Sequence, residues 1–444
     1  MIRRTKRKGD KADKIKHLRV VEVHHELSCE ERTCDCCGDQ MKLLGTKVVR
    51  DEVHYVPAEL YVKRHMTHSY ECDCHNPELE VKQIKSAKAP RAVFSSGSIV
   101  GSTLLAWIIY LKFVLSVPLY RQVNDWQRTG LVVSRRTLSN WVIEGSFDYL
   151  LPIYELLKEE LQSRDVAHAD ETVYQILNRS DLKPATSDSR LWAFQTLEEE
   201  EKPVVLYHSS LTRSRDEIKE VLGAYQGYLH CDAYVGYKNI SGIKDVGCWA
   251  HARRKFKEVP QPKGEKQTKA SIAVSKCDRM FKIERELKSL SPEQRHLKRQ
   301  LLLKPLMEEF FDWLGSFEAL GNLKKAVAYS LNQKQSLMRV LEDGRLQLSN
   351  NVCEQKIKSL VIGRKNHLFS ASERGATANA IAYTIVVTAK QNGLDPYKYL
   401  EYLFTNLPDL GFRRKPELLK DFLPWAKLPQ QLCAASPSTN QLAS

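Results

Sequence analysis

The sequence predicts a multidomain protein of mixed class, α+β or α/β, and three observations predict it. Six of the eleven cysteines fall before residue 75, at Cys29, Cys34, Cys36, Cys37, Cys72 and Cys74. From Ser98 onward the hydrophobic pattern turns helical, and from Val166 apolar runs of strand length take over. Val259 to about Leu341 is then long, basic and helical in pattern, with no strand signal. At 444 residues, several domains of roughly 150 residues fit, each with ample core.

The N-terminal tail is basic. Residues 1–20 hold nine Lys/Arg against Asp10 and Asp13, a net of +7. Residues 244–304 hold seventeen basic and seven acidic side chains, a net of +10 in a chain whose total is +14. The rest is slightly acidic, so two basic blocks sit on a near-neutral body. That distribution points to a polyanion, nucleic acid before an anionic membrane. The longest apolar stretch, Leu104–Val117, has 14 residues and contains Lys112, short of the roughly 20 a membrane span needs. The tail lacks the apolar core of a secretory signal, so a reducing, cytoplasmic compartment is expected and the clustered thiols read as metal ligands.

Those thiols come next. Cys34-x-x-Cys37-Gly38 followed by Cys72-x-x-His75 has the spacing of a tetrahedral zinc site, two ligands on each of two tight turns. Cys74 competes with His75; a single intervening residue after Cys72 makes a poor chelate, which favours His75. Four ligands with no vacancy make the ion structural. Between the clusters, Lys47–Val62 is rich in valine and tyrosine and predicts short strands.

Leu119–Gln127, the turn Arg128-Thr129-Gly130 and Ser134–Gly145 read as helix, tight turn, helix. Ser134 is a good N-cap, with Leu138, Trp141 and Val142 as core. Arg135, Arg136 and Asn140 then occupy the early turns that enter the major groove in helix-turn-helix motifs. The plainer reading is a helical hairpin that only connects domains.

Strand-length runs follow at Val166–Ala169, Leu191–Leu197, Val204–Tyr207 and Tyr228–Cys231, with a helical stretch at Arg215–Tyr225. His168-Ala169-Asp170 and His230-Cys231-Asp232 repeat one arrangement, an aspartate at or near a strand end. Two such aspartates in one sheet can converge on divalent cations, which prefer hard oxygen ligands. Glu354, on a helix that Ser349 or Asn350 can cap, is the best third carboxylate for a two-metal site able to catalyse phosphodiester displacement. Asp after a strand is more often a turn or cap residue, and spacing alone does not select this trio.

The chain resembles the DDE transposases of the bacterial insertion-sequence family sixty-six. The likeness is carried by CDCCG at 34–38, VPLYRQ at 117–122, SRRTLSNWV at 134–142, HADET at 168–172 and HCDAYVGY at 230–237. It continues through GCWAHARRKF at 247–256, DGRLQLSNNVCEQ at 343–355, IGRKNHLFSASERGA at 362–376 and AKQNGLDPYKYL at 389–400. These segments cover roughly residues 20–425. The resemblance implies a ribonuclease-H-like core whose catalytic Asp, Asp and Glu are Asp170, Asp232 and Glu354, holding two Mg²⁺ or Mn²⁺ ions. It implies that the basic helical stretch is an insertion between the second aspartate and the glutamate. Cys248-x-x-His251 matches a signature that accompanies the second aspartate, expected to shape the core rather than bind zinc because no second pair stands nearby. Arg253, Arg254, Arg364 and Lys365 are expected to meet phosphates.

The expected organisation is a basic tail over 1–25, a zinc-binding module over 26–92 and a helix-turn-helix DNA-binding domain over 93–160. The core occupies 161–258 and 343–392, split by the insertion at 259–342, and a small helical C-terminal element covers 393–430. Implied partners are double-stranded DNA, both element terminal inverted repeats and target, further copies of the chain on DNA, and accessory proteins of the same element. The implied location is the bacterial cytoplasm at the nucleoid. Two departures stand out. Family members usually have cysteine where this chain has His75, and they commonly begin with a longer leucine-rich helix, so a multimerisation segment is expected to be missing. The rival readings are a zinc-containing DNA-binding regulator without catalysis, or a nuclease sharing the core; the three intact carboxylates argue against the first.

Overall fold

The computed structural model describes residues 98–436 except 186–188 and 261–266, together with 43–48, 59–71, 84–94 and single positions between 20 and 40. The chain divides into two compact units, Met1–His65 with Ala435–Ser444, and Met66–Ala434. In the first, every described residue is exposed, Cys36 and Cys37 among them with free thiols. Cys34, Cys72, Cys74 and His75 lie outside the described residues. No strand forms in the described part of Lys47–Val62, residues 47, 48 and 59–62.

In the second unit, β1 (Ser69–Glu71) pairs antiparallel with β2 (Ile84–Ser86). Helices follow: α1 (Ser102–Phe113), α2 (Leu119–Arg128) and α3 (Arg135–Gly145). Pro118 presets the entry to α2, since its fixed φ suits a first turn and its missing N–H has no helical partner to lose. Gly130, at φ +95°, makes the reversal between α2 and α3 that a side chain would strain. Ser134 Oγ accepts the Thr137 N–H at 3.0 Å and starts α3, as its sequence indicates. Leu138, Trp141 and Val142 are buried, while Arg135, Arg136 and Asn140 are exposed. A wide turn, Ser146–Leu150, joins α3 to α4 (Leu151–Gln162).

The central sheet is built from β3 (Val166–Val173), β5 (Arg190–Thr196), β6 (Val205–Ser210), β7 (Gly227–Cys231) and β8 (Ile243–Gly247). Its order is β6-β5-β3-β7-β8; β5 and β6 run antiparallel to their neighbours, whereas β3, β7 and β8 are mutually parallel. A parallel return needs a crossover, and α5 (Arg215–Leu222) supplies it before β7. A short strand, β4 (Ile176–Asn178), leaves the sheet to pair in parallel with β9 (Ser370–Ser372). Four of the five sheet strands are legible as apolar runs. β8 is not, because Lys244 and Asp245 interrupt its pattern.

Helices α6 (Trp249–Lys257), α7 (Lys269–Glu286), α8 (Pro292–Lys298), α9 (Lys304–Gly315), α10 (Gly321–Asn332) and α11 (Lys334–Met338) fill the basic stretch. They build a core of their own around Trp249, Phe256, Met307, Phe310 and Phe311, which Val166 and Val246 join to the sheet. Trp249 is buried with its ring N–H on the Leu337 carbonyl at 2.9 Å. The chain closes with α12 (Asn351–His367), α13 (Glu373–Gln391), α14 (Pro396–Leu410), packed on α1, and α15 (Lys427–Leu432).

Both borders of the sheet are covered. α13 lies along β6, where Thr388 Oγ1 accepts the Val205 N–H at 3.1 Å and Thr384 Oγ1 accepts the Tyr207 N–H at 2.8 Å. On the other border, α11 lies against β8. Gly247 permits that approach, since a Cβ there would stand 3.1 Å from the Leu337 nitrogen. Asp245 of β8 is held by Lys238, Ser336 and Arg339, and Arg339 also donates to the Asp245 carbonyl at 2.6 Å. No helix among the described residues is long and apolar enough to cross a membrane.

Candidate active site

His168 of β3 and His230 of β7 are register partners on adjacent parallel strands. Side chains alternate along a strand, so Asp170, two residues on, shares the face of His168 inside β3 rather than at the strand end the sequence suggests, because pairing with β5 carries the strand on to Val173, and Asp232 stands just past the end of β7. The Asp170 carboxylate accepts the Glu171 N–H at 2.9 Å, and Asp232 accepts the Tyr234 N–H at 2.8 Å. Glu354 is in the first turn of α12, which packs against β3 and β5. Cys353 touches the Ala193 carbonyl at 3.5 Å, and Ala193 is the register partner of Asp170. The helix that carries the glutamate is therefore fastened at the level of the first aspartate.

The segment leading into α12 is clasped by the two histidines. Asn350 Nδ2 donates to the Ala169 carbonyl at 2.8 Å, leaving Oδ1 to accept from His168 Nδ1 at 2.9 Å. His230 Nε2 accepts the Gln347 N–H at 3.2 Å, and the two rings stack at 4.4 Å between centroids. Asn350 stands at the N-cap position, but its side chain makes no bond to the first turn of the helix. The cap expected of it is lost because the buried bonds to His168 and Ala169 claim both ends of its amide.

The His230 bond needs a neutral imidazole, and burial keeps both rings neutral. It pushes His168 down to about 4, and it pushes His230, with the His168 and Arg299 charges adding, well below its ordinary value. The folded protein thus excludes protons that the unfolded chain binds below about pH 6.5, so stability must fall as pH drops from there toward 4. With His168 alone the loss at pH 5 is about 2 kcal/mol. Urea unfolding at pH 7 and pH 5 measures it; His168→Gln should flatten the dependence, and equal flatness in the unaltered protein would contradict the neutral pair.

Asp170 is pushed up to about 7, by burial first and then by the Glu171 charge; the Glu171 N–H pulls it back, while Asp232 and Glu354 add to the rise. Carboxylates crowded in a water-poor corner resist ionisation unless a cation joins them, and hard oxygen donors of this kind fit a divalent ion such as Mg²⁺.

Arg213 answers part of that charge. Its guanidinium pairs with Glu171, lies 3.8 Å from an Asp232 oxygen and covers the Tyr234 ring at 3.8 Å, while Tyr237 donates to Glu171 at 2.8 Å. Nothing in the Thr212–Ser214 loop marks Arg213 in the sequence; the fold alone brings it here. Glu354 faces His251 and Arg254, each at 3.6 Å. Of the remaining basic residues, Arg253 is paired to Asp278 of α7 at 2.6 Å, Arg364 donates to the Val173 carbonyl at the end of β3, and Lys365 is exposed.

Three family models match the chain. One described as Transposase IS66 family covers residues 97–378, one described as the zinc-finger binding domain of transposase IS66 covers 31–75, and one described as the IS66 C-terminal element covers 384–425. Relatives in Sinorhizobium fredii include the uncharacterized protein y4jD, 30% identical over 428 residues, 92% of this chain and 80% of that one. The uncharacterized protein y4hP of the same organism is 29% identical over 420 residues, 88% of this chain and 73% of its own length.

Proposed function

The chain belongs to the IS66 transposase family, and on that premise we propose that it cuts and rejoins DNA at the ends of an insertion sequence, with Asp170, Asp232 and Glu354 as the reacting site. Membership carries DNA as the partner and a structural zinc ion for the N-terminal module. The observation that carries the catalytic reading is the pairing of His168 with His230 on adjacent parallel strands, two residues before Asp170 and Asp232, with the entry to the helix of Glu354 bonded to β3. The sheet order, three antiparallel strands continued by two parallel ones, supports a ribonuclease-H-like core interrupted by the helical stretch.

These three carboxylates would hold magnesium or manganese, which would supply Lewis acidity toward the phosphodiester. The chain's own groups do the rest. Asp170 and Asp232 are oriented by the Glu171 and Tyr234 amides, while Glu354, which faces His251, must turn to join them. Arg213 holds Asp232 and Glu171 in place, and Arg254 and Lys365 are available to phosphates flanking the cut. The DNA-end contacts are assigned to the zinc module, with Cys34, Cys37, Cys72 and His75 as ligands, and to Arg135, Arg136 and Asn140 on the exposed face of α3. Two copies on paired ends, and accessory proteins of the element, complete the proposed assembly at the nucleoid.

The test is a labelled duplex carrying the element's terminal repeat, incubated with the full chain and Mg²⁺. New 3′ ends and joined products are expected; their absence with Mg²⁺ and with Mn²⁺ would overturn the reading. A second expectation concerns binding. Arg135→Ala with Arg136→Ala should weaken terminal-DNA affinity and reduce the slope of log affinity against log salt by about 2, since each phosphate contact contributes about 0.9. Fluorescence anisotropy at several salt concentrations measures it, and an unchanged slope would remove α3 from the interface.

A further inference from the structure

Cys248 and His251 open α6, and α12 brings Glu354 to them from more than a hundred residues along the chain. The sulfur, an imidazole nitrogen and a carboxylate oxygen all lie within 4.8 Å of one another. From these three donors we infer a second zinc site, distinct in ligands from the N-terminal module, that shares Glu354 with the proposed magnesium pair.

Three observations carry it. Cys248 is buried at the N-terminus of α6, and its sulfur accepts the Asn350 N–H at the N-terminus of α12, 3.3 Å away. Two helix starts therefore meet at one thiol; burial and the Glu354 charge hold it protonated in the metal-free protein, while the backbone N–H groups around it lean toward the thiolate that a cation would complete. Second, Glu354 Oε1 is buried without a hydrogen-bond partner, at 3.6 Å from His251 Nε2, too long for a bond between them. An unsatisfied carboxylate oxygen facing an imidazole is a costly arrangement that an ion between them relieves. Third, the donor set is selective. Thiolate, imidazole and carboxylate suit Zn²⁺, whereas Mg²⁺ takes oxygen ligands and has no use for the sulfur.

Zinc–ligand bonds of about 2.0–2.3 Å place ligand atoms roughly 3.5 Å apart, so rotamer shifts of His251 and Glu354 are enough to close the site. Three protein ligands leave a fourth position for water. Zinc held here draws Glu354 toward Cys248 and away from Asp170 and Asp232. Micromolar zinc is then an inhibitor of strand cleavage, an effect that rests on the magnesium role proposed for Glu354, whereas the zinc site itself does not.

The experiment uses the full chain, with Zn²⁺ alone as the first probe. Metal content after equilibration in a zinc buffer should be one ion per chain higher in the unaltered protein than in Cys248→Ser, and His251→Asn should lose the same ion. Co²⁺ substitution should show thiolate charge-transfer absorbance that falls in Cys248→Ser. Circular dichroism and thermal melting confirm that each variant is folded, and His251→Asn stands in if Cys248→Ser is not. Equal zinc content in the unaltered protein and both variants overturns the site. Inhibition is then read as the ratio of each protein's cleavage rate with and without zinc. A ratio that approaches one in Cys248→Ser supports the coupling, and an unchanged ratio overturns it. Absence of cleavage in every protein overturns the transposase reading, while the zinc content still decides the site.

Discussion

Asp232→Asn is expected to lower magnesium-dependent strand cleavage by on the order of 10³-fold or more, with binding to terminal DNA retained. The change is nearly isosteric, and the asparagine oxygen can still accept the Tyr234 N–H, so the loop after β7 keeps its shape. What is lost is one negative charge at the cation site, worth several kcal/mol to the transition state, and each 1.36 kcal/mol is tenfold in rate. Asp170→Asn should be equally inactive but more stable than the parent in metal-free buffer, because its carboxyl is crowded by burial and three acidic neighbours. A gel assay of end cleavage, anisotropy of the same duplex and a thermal melt read the three quantities. Cleavage that persists in Asp232→Asn would sink the assignment.

Arg299→Met is expected to cost about 3–5 kcal/mol of stability and to reduce cleavage as well. Arg299 is fully buried among the helices of the basic stretch. Its Nε reaches Glu284 at 3.0 Å, one terminal nitrogen donates to the Val340 and Asp343 carbonyls at 3.0 Å each, and the other donates to Glu284 and to the Leu346 carbonyl at 2.7 Å. All five guanidinium donors are used. Methionine fills the space but leaves a carboxylate and three carbonyls unsatisfied in the interior, the mechanism behind the largest single-site losses. Lysine brings only three donors from one point, so it should rescue little. The carbonyls held by Arg299 belong to the run into α12, so loosening them loosens the seat of Glu354. Urea unfolding measures the cost, and a loss below about 1 kcal/mol would show that this network does not hold the segment.

Much of the site is legible in the sequence because it is local. Asp170 and Asp232 each follow an apolar run visible in a window of ten residues, although β3 runs on past Asp170 to Val173. Ser134 announces the start of α3 for the same reason. What escapes the sequence is long-range. The ion network of Asp245 makes β8 possible, yet a lysine and an aspartate inside the strand hide it from any pattern of alternation. His168 and His230 read as neighbours of the aspartates, and only the parallel register shows that they stack and clasp the entry to α12. Asn350 looks like a helix cap until His168 is found beside it. Cys248 and His251 seem a pair without a counterpart, because Glu354 is so distant in the chain. The proposed ribonuclease-H-like core rests on resemblance, not on strand patterns.

The covered borders of the central sheet bear on how copies of this chain come together. A strand whose outward amides are already taken by Thr384 and Thr388, or which lies under α11, has no hydrogen bonds to lend to a neighbour. Continuation of the sheet from one molecule into the next is thereby closed off at both ends. In the proposed assembly on paired DNA ends, the central sheet then lends no strand to a second copy, and contact falls to the DNA and to other surfaces of the chain.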